Sequence, residues 1–428
     1  MRLSRIAVAV LSILASSGTE SMAQEDSLAI PSADPVPHAL ELSGSIEPSY
    51  SLSMDRSDSP LFLLSKAGAT ASGFSASYPL DLYLDGDYQN GGLGIHLKTH
   101  TSYQAGAAIG FALDEAYGEM QLSDSLLIML GAKIYNWGNG YAFNPAGFVN
   151  PAKDPENPDA VGQGILSGSI EVSKSLSRGI LNNFSLDLIA IPPVSASTAP
   201  SGDILDTDLA VKLYLLALDT DLDFMGYWSG SAPVRIGMDF SRNILPSLEV
   251  HGEAAYSFGQ SLTYMSSGTP LTASVDSLSY LGGLRWLNAL NMTSILEFYH
   301  DDAGMTANDY EGYLAYLRSA MASGNAALVS QARSDYKSLS LRPSIERDYI
   351  YFKLSWPEPF DIVDFTPAVS AVYSADDGSA MAAISLSYTP FTNFEVDMSP
   401  AIFLGPASSQ YGSKPSATSL AMQAKFHF

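Results

Sequence analysis

Eighteen segments of about ten residues alternate apolar and polar side chains with a period of two. They lie at 40–53, 74–84, 93–103, 109–122, 126–137, 165–173, 184–191, 208–218, 221–228, 234–240, 248–258, 277–287, 293–300, 348–356, 363–373, 382–388, 394–404 and 419–428. In an extended strand this period sends successive side chains to opposite faces. Leu248, Val250, Gly252, Ala254 and Tyr256 share one face, and Glu249, His251, Glu253 and Ser257 share the other. Ile350, Phe352, Leu354 and Trp356 likewise oppose Tyr349, Tyr351 and Lys353. One face suits lipid and the other suits water. Within 109–122 the apolar parity switches from Phe111 and Leu113 to Ala116, Met120 and Leu122, which predicts a β-bulge near Asp114.

The connections sort by length in the same way. Those after the fifth, seventh, eleventh, thirteenth and seventeenth segments are long, at 138–164, 192–207, 259–276, 301–347 and 405–418; the even-numbered ones are compact. A wall whose strands run up and down, with both termini on one side, places all odd connections at one end and all even ones at the other. The pattern predicts an all-β chain forming a transmembrane antiparallel up-and-down β-barrel of about 18 strands, or 16 if the 40–84 pair stays outside the wall. Within 301–347, Asn308 or Asp309 is expected to cap a helix carrying Tyr313, Leu314, Leu317 and Met321, followed by a break at Gly324-Asn325 and a second Ala-rich stretch to Ala332. These helices could cap the barrel, fold into it, or form a solvated external hairpin.

The ends agree with an exported barrel. Arg2 and Arg5 precede the apolar run of residues 6–15, and Ser21-Met22-Ala23 offers small residues for cleavage, so 1–23 reads as a secretory signal peptide. Residues 24–38 are a short polar leader and 39–428 the barrel. At the other end Leu420, Met422, Ala424, Phe426 and Phe428 share one strand face. This tail resembles the closing strand of bacterial outer-membrane β-barrels. That resemblance implies an outer-membrane location, lipid around the wall, and Phe426 and Phe428 as an assembly signal read by the barrel assembly machinery.

A net charge of −24 argues against nucleic acid as a partner, while 11% aromatic residues argue for an ordered structure. There is no cysteine, so neither disulfides nor thiolate metal sites are possible. His96 and His100 on one strand lie about 13 Å apart, too far to share a metal. Neither a cofactor nor catalysis is expected.

The most distinctive segment runs from Gly131 through Trp137, Gly138, Gly140, Asn144 and Pro145, with further prolines at 151, 155 and 158. It resembles a "Gly…Trp-Gly-x-Gly…Asn-Pro" stretch of several outer-membrane barrel families, including large transport and export channels. Trp137 is expected as an aromatic anchor at the bilayer edge, with a role of the loop in gating or ligand binding as the alternative. Parity nominates pore-lining side chains: His96, Lys98 and His100, Asp208 and Lys212, Asp221 and Asp223, Arg235 and Asp239, Glu249, His251 and Glu253, Arg285, Glu297 and Tyr299, Lys353, and Glu395 and Asp397. Acidic groups predominate. The expected function is a porin-like passive channel for small hydrophilic solutes or ions, preferring cations. The alternative is a plugged surface barrel acting as an adhesin through its long outer loops. The sequence leaves the oligomeric state open.

Overall fold

The computed structural model describes residues 39–65, 73–151, 153–160, 162–176, 179–193, 206–342 and 344–428; the expected signal peptide and leader, 1–23 and 24–38, lie outside the described residues. Nineteen strands form one antiparallel sheet closed on itself. They are β1 (Ala39–Asp55), β2 (Phe74–Ser77), β3 (Pro79–Asn90), β4 (Leu93–Gln104), β5 (Gly110–Ser123), β6 (Leu126–Lys133), β7 (Ile165–Ser175), β8 (Leu181–Ile191), β9 (Asp208–Ala217), β10 (Thr220–Trp228), β11 (Val234–Leu245), β12 (Leu248–Ser266), β13 (Thr269–Leu287), β14 (Thr293–Asp301), β15 (Asp348–Ser355), β16 (Phe365–Ser374), β17 (Ala380–Phe391), β18 (Phe394–Leu404) and β19 (Ser416–His427). β2 and β3 both pair with β1 and are two lengths of one stave, interrupted at Tyr78. The wall of the described residues therefore has 18 staves, each overlapping one of the expected segments. The 16-strand alternative falls, because β1 pairs with β19 on one edge and with β2 and β3 on the other.

Alternation sorts the faces as the sequence requires. Ile236, Met238, Leu296, Phe298, Ile350 and Phe352 are exposed outward, while their neighbours Asp239, Glu297, Tyr349 and Tyr351 turn inward and are buried. Closed antiparallel pairing leaves no sheet edge in contact with lipid, where an unpaired peptide group would be costly. At the seam, Gly44 and Phe428 exchange both backbone hydrogen bonds at 3.0 Å. The bulge falls at Asp114: Lys98 pairs with Glu115 and Thr99 with Leu113, which leaves Asp114 unpaired in the ladder.

Three local expectations are corrected. Residues 259–276 are mostly a continuation of the β12–β13 hairpin, turning at Ser267-Gly268, and not a long loop. A register shift between Ser257 and Gln260, with Gly259 at φ 80°, interrupts the alternation there and hides the continuity. The first long helix is capped by Thr306, whose Oγ1 accepts from Asp309 N at 3.2 Å and donates to Asp309 Oδ2 at 2.6 Å. Asp309 belongs to the first turn as the partner of the cap, and Asn308 does not cap it. Lastly, the helices are not a solvated hairpin. α1 (Pro60–Ser65), α2 (Ala307–Ala322) and α3 (Ala326–Ser340) enclose an apolar cluster of Leu61, Leu64, Met305, Tyr310, Tyr313, Leu314 and Leu317 at the long-loop end. The cap is tied to residues 405–415 by Tyr310 Oη and Ser413 Oγ at 3.0 Å, while Arg56 Nη1 donates to the carbonyls of Tyr411 and Gly412 at 2.7 Å.

Two predictions follow from these packings. A Cβ on Gly44 would lie 2.5 Å from Tyr83 O and 2.8 Å from Phe428 Cζ. Gly44→Val should therefore weaken the seam by about 1–3 kcal/mol, lowering the temperature at which the folded form is lost on unheated-versus-heated gels. In the cap, Glu346 is fully buried and accepts from Ser374 Oγ. Burial first, and then the carboxylates of Asp377 and Asp376, push its carboxyl up to about 9, against the Ser374 hydrogen bond. A carboxyl raised in the folded state gives stability that is present at acid pH and lost as pH rises through that value. Protease cleavage within 307–340 should accelerate between about pH 5 and about pH 9 in the native chain relative to Glu346→Gln, and equal pH profiles would contradict this assignment.

Candidate functional site

At Lys133 the chain leaves the wall, and residues 134–164 pass through the lumen to strands on the far side. The departure and return are both fastened at the β5 bulge: Ile134 N donates to Glu115 Oε1 at 2.8 Å, and Gly164 N to Asp114 O at 2.8 Å. Across the barrel, two inward carboxylates receive the loop backbone. Glu253 on β12 accepts from Gly140 N at 2.5 Å and Ala146 N at 3.1 Å. Glu297 on β14 accepts from Ala142 N at 2.8 Å and from Tyr141 N. Asn139 Nδ2 donates to Asp239 Oδ1 on β11 at 2.6 Å, and Lys353 on β15 reaches Asp159 Oδ2 at 3.0 Å as well as the Tyr141 hydroxyl.

Local chemistry explains why this segment can lie so close to the wall. Gly138 has φ 89°, and a Cβ there would sit 2.7 Å from Glu253 Oε1. A Cβ on Gly140 would overlap Phe143 O, so both glycines serve close approach. Asn150 closes the loop on itself: its Oδ1 accepts from Trp137 N at 2.8 Å and its Nδ2 donates to Trp137 O at 2.6 Å. Asn144 O accepts from Gly147 N at 2.9 Å, with Pro145 inside that turn. Phe143 stacks on Tyr299 with centroids 4.5 Å apart.

Trp137 is not at the bilayer edge. It is 2% exposed, packed among Tyr135, Phe148, Met225 and Tyr227, with Lys212 Nζ 5.9 Å from its ring. The ladder ends at Lys133, four residues before the expected segment boundary, so Trp137 is carried inward with the loop instead of standing on the wall.

The energetics follow from burial. Glu297 is 0% and Glu253 4% exposed. An ionised carboxylate is costly to bury unless its oxygens are hydrogen-bonded. The loop peptides satisfy both groups, and the carboxylates satisfy loop N–H groups that have no secondary-structure partner. Each charge-assisted bond of this kind is worth about 1.5–3 kcal/mol. Outside the wall, hydrogen bonds from Tyr141 and Lys353 outweigh burial and hold the Asp159 carboxyl below its usual range, while burial and Asp159 raise the Tyr141 hydroxyl.

The nominated lining residues divide into two sets. Arg235, Asp239, His251, Glu253, Glu297 and Tyr299 are inward but covered; Arg235, for instance, lies 4.5 Å from the Tyr227 ring centroid and 5.0 Å from that of Phe148. Lys353 is drawn into the loop network. Glu249 and Arg285 remain reachable near the short-turn end, 4.0 Å apart. On the other side of the lumen His96 sits between Asp87 and Glu119, and His100 Nε2 is 2.9 Å from Asp81; Lys212, beside Trp137 of the loop, is 3.8 Å from the buried Asp223. Lys98 pairs across the sheet with Asp85 and Glu115. Asp208 accepts from Tyr227 Oη and Asp221 from Tyr214 Oη, each at 2.5 Å. Lys425 Nζ lies 2.9 Å from Glu395 and 2.8 Å from Asp397. Sequence reasoning missed Tyr141, Lys153 and Asp159, whose only signal was their place in the Gly- and Pro-rich loop.

No protein-family model matches the chain, and no curated protein matches it. Solved structures do. OccK8 (OprE) of Pseudomonas aeruginosa superposes with a TM-score of 0.55 at 10% identity, covering 91% of this chain and 98% of that one. OccK2 (OpdF) of the same organism, solved in complex with glucuronate, gives 0.53 at 10% identity, covering 91% and 98%. P. aeruginosa OprD gives 0.52 at 6% identity, covering 91% and 95%. The chain shares their barrel fold.

If Glu297 seats the loop, Glu297→Gln removes one charged acceptor and turns an amide donor toward existing donors. Exchange of the Tyr141 and Ala142 amides should then accelerate by roughly 10- to 100-fold, read by hydrogen exchange on the detergent-solubilised barrel; unchanged exchange would show that the seat lies elsewhere.

Proposed function

We propose that this protein is a porin-like passive channel of the bacterial outer membrane, conducting small hydrophilic solutes with a preference for cations. The observation that carries this reading is the one-sided placement of residues 134–164. They cover the inner face of β11–β15, whereas on β3 to β5 the inner residues Asp81 and Glu119 are only half-buried and Asp87 is exposed. A barrel of this size encloses a lumen that a single loop narrows. The outward apolar face suits lipid.

Selectivity is assigned to the uncovered half. Asp81, Asp87 and Glu119 exceed Lys98 there, and Lys425 is shared between Glu395 and Asp397. Glu253 and Glu297 are consumed by the loop and add little to the field met by a solute. OccK2 was crystallised with glucuronate, an anionic sugar acid; the acidic surplus on this wall favours neutral or cationic solutes instead. An adhesin finds less support, since the helical segment turns its apolar residues into the cap.

Folded protein in planar bilayers should conduct, with a reversal potential under a potassium chloride gradient displaced toward potassium. Combining Asp81→Asn, Asp87→Asn and Glu119→Gln should reduce that displacement by roughly half or more. Folded barrels that fail to conduct would overturn the channel; an unaltered reversal potential would overturn this placement of the selectivity.

A further inference from the structure

We propose that His251 is a positioning residue for the constriction, seating residues 134–164 through Glu297. The inference deepens the channel reading and rests on it.

The geometry is specific. His251 is 4% exposed, and its Nε2 lies 3.0 Å from Glu297 Oε1. Glu297 already accepts loop N–H groups through both oxygens, so the geometry makes Nε2 the donor in its contact with Oε1. The ring occupies space left by Gly283 on the neighbouring strand, where a Cβ would overlap Nε2 and lie 2.8 Å from Cε1. Nδ1 is buried with no hydrogen-bond partner among the described residues. It points toward Glu249 Oε1 at 3.6 Å, just beyond hydrogen-bond reach. The Glu249 side chain is 26% exposed and neighbours Arg285, so it touches the lumen near the short-turn end.

The charged groups facing this ring or the carboxylate it holds are Glu249 and Glu253 on β12, Arg285 on β13, Glu297 on β14, and Lys153 of the loop, whose Nζ donates to Gly140 O. Held between Gly283 and Glu297, the ring keeps the Glu297 carboxylate aimed at Tyr141 N and Ala142 N. Without the ring the carboxylate has room to turn away and the two loop peptides lose their acceptor.

Because the chain lacks cysteine, a single Ala142→Cys reports the seat without any reliance on conduction. Ala142 is 0% exposed. In folded detergent-solubilised barrels, a water-soluble maleimide should label this cysteine slowly relative to a free peptide thiol. His251→Ala should raise the rate about tenfold. His251→Gln, which retains an N–H donor, should restore slow labelling. Fast labelling of Ala142→Cys in the otherwise native barrel, or labelling of His251→Gln as fast as that of His251→Ala, would overturn the proposal. A barrel that labels as expected but does not conduct would overturn the channel reading and leave the seat standing.

Discussion

What lies in the lumen depends on two buried carboxylates. The described residues of 134–164 lie in no ladder or helix that would satisfy their peptide groups, and Glu253 and Glu297 are buried away from bulk water. Each side supplies what the other lacks: four loop N–H groups against four carboxylate oxygens. Neither arrangement is tolerable alone in a low-dielectric interior, since an unpaired buried donor and an unpaired buried charge both carry a penalty. Mutual dependence of this kind favours a loop that is either seated or released, with little stability between.

The wall prepares both fastenings of that loop. At the β5 bulge the ladder skips Asp114, which frees its carbonyl to accept from Gly164 N where the chain returns. The next residue, Glu115, holds Ile134 N where the chain departs. A bulge is thus more than a kink in one stave. By interrupting pairing at a single residue it provides acceptors for two backbone groups that have just left the sheet, in a region where no lipid group could provide them.

Most of the wall was legible in the sequence because its physics is local. Lipid outside and water inside impose a period of two on every stave, and the parity of loop lengths then fixes the order. The bulge was legible for the same reason, as a slip in that period. What escaped depended on contacts distant in sequence. Nothing near Trp137 announces that the ladder stops at Lys133 or that an aromatic after a strand will turn inward to pack against Met225 and Tyr227. Glu253 and Glu297 were legible as inward residues by parity, but not as partners of peptides more than a hundred residues away. The Thr306 cap was displaced by its own partner: Asp309 is itself a good capping residue, and only the backbone shows which of the two stands outside the helix.

This division bears on how charge in such a barrel should be read. Counting acidic side chains on inward faces treats Glu253, Glu297 and Asp239 as equivalent to Asp81, Asp87 and Glu119. They are not equivalent. The first three are 4%, 0% and 1% exposed and turn oxygens to peptide or amide donors of the loop, so a passing ion does not reach them. The second three stand beside His96 and His100, on the side the loop leaves uncovered. The same residue type therefore serves structure on one wall and the electrostatic field on the other, and the position of one loop decides which.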